Sequence, residues 1–249
     1  PTSSNHRMHR REEQPLPEMH PVAGERPLRD LSVVSPPQAN QHHAAAFSAR
    51  STEQWLQLMP PLLKQLQAGA SQAAQCESLA RLLKMTSTAS SDAAVWDAHF
   101  EHVLEAVLRS VSSEDEVLGG HGMACAKELL RVHPNRFRPF TEHVLLRLLA
   151  AARDASHAVA RGAEEAAETL IGMSDAHRCM AVLVPVVQRE PPPTLQLAVR
   201  LQSLLVPRFS QLQLLSVLPQ LLPPLFEAFK HTHADVRKAV VFCLVDMYL

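Results

Sequence analysis

Glycine is scarce in this chain of 249 residues, with only seven, and none of them builds a phosphate-cradling GxxxxGK[ST] or GxGxxG loop. Aromatics are at 4% and β-branched alternation is sparse, which argues against a β-sandwich, a barrel or a nucleotide-binding α/β sheet. Excess charge of one sign is also missing: 24 Lys+Arg stand against 25 Asp+Glu, so no global field draws the chain to nucleic acid or anionic lipid. The four cysteines, Cys76, Cys125, Cys179 and Cys243, lie far apart without CxxC spacing. That excludes a small disulfide scaffold and leaves reduced, core-type thiols. No uncharged apolar run of about 18 residues is read along the chain, so no membrane span is expected. The polar start, Pro1 to Arg11, lacks the apolar stretch of a secretory signal. A cytosolic chain is the reading, and a start without Met together with a stop at Leu249 inside an apolar pattern points to a piece of something longer.

What remains is heavy in Ala and Leu, the composition of an all-helical protein. Residues 1–50 hold seven of the 19 prolines, five of the 14 histidines, six arginines and five acids, with almost no apolar periodicity. Such a segment cannot bury enough surface to offset the entropy of ordering it, so 1–50 reads as a flexible linker. From Thr52 onward, apolar residues recur at steps of three and four. The clearest stripe is Trp96, Phe100, Val103, Leu104, Val107, Leu108, Val111, which lies on one face of a helix. Others are Phe137, Phe140, Val144, Leu145, Leu148, Leu149; then Val159, Ala163, Ala166, Ala167, Leu170, Ile171; and Val236, Ala239, Val240, Cys243, Met247. Between them stand short breaks with helix-stopping or helix-starting chemistry, at Ser112-Ser113-Glu114, His133-Pro134-Asn135, Asp154-Ala155-Ser156, Ser174-Asp175, Pro191 to Pro193 and His233-Ala234-Asp235.

The breaks are periodic. Ala160-Arg161-Gly162-Ala163 resembles Val236-Arg237-Lys238-Ala239 at 76 residues, and Leu118-Gly119-Gly120 occupies the same slot 42 residues before the first. Two helices per step of roughly 40 residues is the pattern of a HEAT-type α-solenoid, and residues 52–249 would hold about five such pairs. Pro219 and Pro223-Pro224, inside the apolar run Leu214 to Phe229, predict a kink or a fresh helix start, and Pro60-Pro61 repeats the device.

Catalysis finds no foothold. His99 and His102, and His121 and Cys125, have helical spacing for paired metal ligands but lack third and fourth partners, so they read as surface or rim residues. Gly119-Gly120-His121-Gly122 has no nucleophile turn beside it and reads as the poorly helical start of a second helix. Glu164, Glu165 and Glu168 form an acidic row opposite an alanine stripe, which is a solvated face rather than an acid–base pair. The expectation is no enzyme, no cofactor and no metal. With five lysines in the helical region and arginines scattered among acids, no nucleic-acid stripe is expected either.

Particular strings go further. Asp97-Ala98-His99-Phe100, His133-Pro134-Asn135-Arg136-Phe137, Arg161-Gly162-Ala163-Glu164-Glu165-Ala166-Ala167, Val184-Pro185-Val186-Val187-Gln188 and, above all, Asp235-Val236-Arg237-Lys238-Ala239-Val240-Val241-Phe242-Cys243-Leu244-Val245 resemble, in order and spacing, the C-terminal helical-repeat domain of the CLASP family of microtubule-associated proteins. The resemblance covers roughly 52–249. It implies a TOG-like, HEAT-repeat module that binds cytoplasmic linker proteins at microtubule plus ends, together with cortical, Golgi and kinetochore (CENP-E-like) partners, while other parts of the full-length protein hold microtubules. Gly119 departs from the family pattern, which has an arginine there, and the chain stops before the closing helices expected of the family.

Tubulin-binding TOG domains resemble one another in presenting a tryptophan and then Lys or Arg on the loops within each pair. Here those loops read Gln67-Ala68-Gly69-Ala70-Ser71, Ser112-Ser113-Glu114-Asp115-Glu116, Asp154-Ala155-Ser156 and Glu190-Pro191-Pro192, neutral or acidic, and Trp55 and Trp96 lie in apolar stripes. Carboxylates facing an acidic partner repel it by about 1 kcal/mol per close pair even in a water-like dielectric, so no binding to free tubulin is expected. The cations Arg136, Arg138, Arg161, Arg237 and Lys238 are the candidates for meeting a partner. For Arg161 and Arg237 the competing role is a brace between repeats, through Asp154 or Asp235. A tubulin-binding TOG domain or a homodimer of the stack is the alternative.

Overall fold

The computed structural model describes residues 52–67, 69–88 and 93–249; the linker expected over 1–50 lies outside them. Ten α-helices follow in order: α1 Thr52–Gln65, α2 Gln72–Thr88, α3 Ala93–Val111, α4 Glu116–Val132, α5 Thr141–Ala151, α6 His157–Met173, α7 Ala176–Arg189, α8 Thr194–Leu205, α9 Gln211–Phe229 and α10 Ala234–Tyr248. Short 3-10 turns at Pro134–Phe140 and Val206–Arg208 precede α5 and α9. There is no strand among the described residues.

The helices pair as α1/α2, α3/α4, α5/α6, α7/α8 and α9/α10, and the pairs stack in two layers. First helices contact first helices (α1, α3, α5, α7, α9), and second helices contact second helices (α2, α4, α6, α8, α10). This is the five-pair α-solenoid that the periodicity predicts. The polar bonds that link one pair to the next confirm the period, because they join residues 32 to 46 positions apart, near one repeat length.

The apolar stripes are the core. All seven residues of the Trp96 to Val111 stripe are buried, as are Val159, Ala163, Ala166, Ala167, Leu170 and Ile171. Asp115 starts α4 by accepting from the Leu118 N–H at 2.8 Å, Asp175 starts α7 through the Arg178 N–H at 2.8 Å, and Ser210 with Gln213 forms a capping box on α9. In the α1/α2 turn, Gly69 takes a φ of 104°, the left-handed region where a Cβ is strained.

Four expectations need correction. Phe137 and Phe140 belong to the 3-10 turn rather than to α5, because Pro134 and Pro139 bracket a segment that a regular helix would have to hydrogen-bond through. Pro219, Pro223 and Pro224 start no new helix: α9 runs unbroken over 19 residues, and much of its surface faces solvent that can serve the carbonyls left without a donor. The same α9 is long and apolar enough to cross a membrane by length and composition, although Leu221, Pro224, Leu225 and Ala228 are packed in the stack. Finally, Gly119, Gly120 and Gly122 lie inside α4 rather than fraying its start, and Gly122 is a contact point. A Cβ there would stand 2.8 Å from the Val111 nitrogen and 3.0 Å from the Ser110 carbonyl carbon of α3.

Candidate interaction surface

Alternating up and down helices give the stack two edges. Loops within pairs form one, and junctions between pairs form the other, roughly 25 Å away across a 17-residue helix such as α6. The five cations divide between these edges. Arg136 and Arg138 sit on the 3-10 turn at the junction edge, whereas Arg161, Arg237 and Lys238 lie in the first turns of α6 and α10, near the loop edge. No single surface brings all five together.

Their partners differ as well. Arg136 is ion-paired with Asp97 and donates to the Ala93 carbonyl at 3.4 Å, tying the turn before α5 to the start of α3. Arg138 is exposed, and its carbonyl accepts from Arg178 at 3.0 Å. Arg161 reaches Glu165 at 3.6 Å on its own helix. Arg237 donates to the carbonyls of His231 and Thr232 at 2.7 and 2.8 Å, closing its own loop. The brace through Asp154 or Asp235 is therefore not what forms, since each guanidinium finds an acceptor on its own helix or turn. Lys238 stands 5.9 Å from the centre of the Phe242 ring.

Real braces come from other arginines. Arg178 holds the Arg138 and Pro139 carbonyls, and Arg208 holds those of Ile171 and Ser174, both across a pair-to-pair junction. On the outer face of the second helices, Lys127 meets Glu165 at 2.5 Å, and Arg200 meets Glu164 at 2.9 Å and Glu168 at 3.0 Å. The acidic row on α6 is thus a bridge between α4 and α8, and Lys127 holds the Glu165 carboxyl below its ordinary range.

The loop edge is short of cations. Its turns carry Glu114, Asp115, Asp154 and Glu190 against Arg153 and Lys230. Arg153 is taken up by Glu190 at 3.4 Å and Lys230 by Glu227 at 2.8 Å. Trp55 and Trp96 are both buried, at 4% and 0% exposure, and are unavailable to a partner at this edge.

Reactive chemistry has no assembly here. His121 bonds through Nδ1 to its own helix at the Val117 carbonyl, 2.8 Å away, while Cys125 turns inward and donates to the Leu79 carbonyl at 3.2 Å. Burial pushes the Cys125 thiol up to about 12, so it stays protonated at neutral pH. Burial, aided by the His102 charge, lowers His99. Among the described residues no three His, Cys, Asp or Glu side chains converge as metal ligands, and the four cysteines are free thiols.

One feature of the first-helix face escapes a reading for cations: a groove of about 370 Å³ between α3 and α5, lined by Glu101, His102, Leu104, Glu105, Phe140 and His143. The i, i+4 spacing of Glu101 and Glu105 was its only trace in the sequence.

No family model matches the chain. CLIP-associating protein 1-B of Xenopus laevis is 34% identical over 171 residues, 69% of this chain and 12% of that protein. CLIP-associating protein 1 of Xenopus tropicalis is 35% identical over the same length. The CLIP-associated protein of Arabidopsis thaliana is 34% identical over 159 residues, 64% of this chain and 11% of that protein. The chain thus spans about an eighth of the length of these relatives. Among solved structures, the MAST/Orbit N-terminal domain superposes with a TM-score of 0.58 at 14% identity, covering 75% of this chain and 82% of that one, a likeness of fold. An identity of 34–35% over 171 residues, 69% of the chain, makes it a homologue of the CLIP-associating proteins, the CLASP family.

Proposed function

We propose that the stack is a non-catalytic protein-interaction domain, equivalent to the C-terminal repeat domain of a CLASP-like regulator of microtubule dynamics. It recruits cytoplasmic linker, kinetochore or cortical partners at plus ends and does not hold free tubulin. The observation that carries this reading is the loop edge, whose turns hold more carboxylates than cations, pair Arg153 with Glu190 and Lys230 with Glu227, and present neither tryptophan, both being buried. An acidic partner such as tubulin meets repulsion there. Arg136, Arg138, Arg161, Arg237 and Lys238 are the cations we assign to partner contacts, with Arg138, Arg161 and Lys238 the exposed ones.

The 249-residue chain run with tubulin dimer on gel filtration should elute separately, while an immobilised cytoplasmic linker protein should retain it. A stoichiometric tubulin complex would overturn the first half of this reading, and failure to be retained would overturn the second. A homodimerising stack has one observation in its favour: Leu212, Leu215, Phe226, Phe229, Phe242 and Tyr248 of the last pair are exposed. Mass measured across a dilution series separates that case, because a dimer shifts with concentration.

A further inference from the structure

We propose that the groove between α3 and α5 docks an extended basic segment of a partner protein, with an apolar residue on Phe140 and two cations on Glu101 and Glu105. This names the partner's chemistry for the interaction domain proposed above and rests on that reading. The charge balance points there. Several exposed carboxylates elsewhere on the helices are ion-paired, Glu77 by Arg81, Asp97 by Arg136, Glu164 and Glu168 by Arg200, and Glu165 by Lys127, whereas this groove sets two carboxylates without a lysine or arginine one turn apart on a single helix. Glu105 meets only the imidazole of His143 at 3.4 Å, and neither Glu101 nor Glu105 pairs with a lysine or arginine. Arg109 and Arg147 stand one turn further toward the loop edge, and Arg136 at the opposite end is held by Asp97.

The groove therefore offers unmatched negative charge beside the partly exposed ring of Phe140, with Leu104 buried beneath. Spacing selects the form of the occupant. Carboxylates at i and i+4 on a helix have Cβ atoms about 5–6 Å apart. In an extended strand, side chains two residues apart share a face at about 6.5–7 Å, so a cation-x-cation segment matches two carboxylates one turn apart. The partner sequence that fits is Arg/Lys-x-Arg/Lys-x followed by a large apolar residue, which keeps all three side chains on one face of the strand.

The probe is a fluorescein-labelled peptide, Gly-Arg-Ser-Arg-Ser-Leu-Gly, titrated by anisotropy against the full 249-residue chain at about 50 mM salt, where screening is weak. Replacing Glu101 and Glu105 together by Gln (E101Q/E105Q) should weaken binding about tenfold or more, while E164Q/E168Q, with the same change in net charge on the opposite face, should change it less than about twofold. Exchanging the probe's Leu for Ser should weaken it as well. Circular dichroism confirms that both variants stay folded. Absence of binding to the unaltered chain, or equal weakening by the two variants, overturns the proposal. Peptide binding that survives while the linker protein is not retained removes the recruitment reading alone.

Discussion

The two layers of the stack hold together by different means. Second helices lie close along α2, α4, α6 and α8 because small side chains let them approach: a Cβ on Gly162 would stand 2.7 Å from Met123 Cγ, and Ala163, Ala166 and Ala167 are all buried. Ion pairs then run across the outside of that layer. First helices touch one another much less and are filled by bulk. Trp96, Phe100, His133 and Phe137 form an aromatic cluster where α3 meets the turn before α5, with Phe100 and Phe137 edge to face at 5.3 Å and Trp96 and His133 rings 4.4 Å apart. Grooves of about 370 and 380 Å³ open between α3 and α5 and between α5 and α7. One layer is sensitive to added volume and the other to lost volume, although a groove of about 500 Å³ also opens on the second layer across α2, α4 and α6.

The largest test removes bulk from the first layer. Trp96 is fully buried, so Trp96→Ala loses its transfer energy and leaves a cavity, an expected cost of about 3–5 kcal/mol. Urea unfolding monitored by circular dichroism reads this; a loss below about 1 kcal/mol would mean the cluster is not the layer's support.

Adding volume where a second helix meets its own first helix comes next. Gly122→Ala puts a methyl group against α3 backbone, which cannot swing aside as a side chain can, and overpacking exceeds the helix-propensity gain by about 2 kcal/mol. Gly120 has no neighbour within 4 Å of a would-be Cβ, so Gly120→Ala should stabilise by about 1 kcal/mol. Equal effects at the two positions would dissolve the contrast.

Acid should act through the first layer's cluster. Burial lowers the His133 pKa to about 4, with Arg136 adding repulsion and Glu128 opposing, and its buried Nε2 has no hydrogen-bond partner. The neutral ring is the folded form. Above about pH 6.5 both folded and unfolded chains carry it neutral, so its stability contribution is complete; as pH falls from 6.5 toward 4 the unfolded chain takes a proton the fold refuses, and stability declines. In His133→Phe the melting temperature should fall less steeply across that window. An unchanged slope would assign the acid sensitivity elsewhere. Glu128, held down mainly by its hydrogen bonds from Arg131, loses its contribution below its ordinary range, outside most of this window.

How much of this was legible follows from which interactions are local. The stripes and breaks were readable because burial repeats every three to four residues within a helix, and the pair count because breaks recur every 40 or so. Contacts between helices leave no such trace. Nothing in Gly122 announces that Ser110 and Val111 lie against it, and Arg237 bonds the carbonyls of its own loop rather than the nearest acid. The division of the five cations between two edges required knowing that α5 and α6 run in opposite directions. The uninterrupted α9 went unread because proline rules assume a carbonyl with nowhere else to turn, whereas half of this helix faces water.

The smallest effect separates appearance from energy in the second layer. Arg200 spans two carboxylates of α6 from α8 and looks like a clamp between repeats. Its side chain is 44% exposed and those of Glu164 and Glu168 are 36% and 40% exposed, so water and salt screen all three charges. Arg200→Ala should therefore cost no more than about 0.5–1 kcal/mol at low salt, and the cost should shrink as salt rises past the point where the Debye length is about 8 Å. If the loss instead persists at high salt, the buried stem of Arg200 is packing between α6 and α8, and close approach rather than charge is what binds second helices to each other.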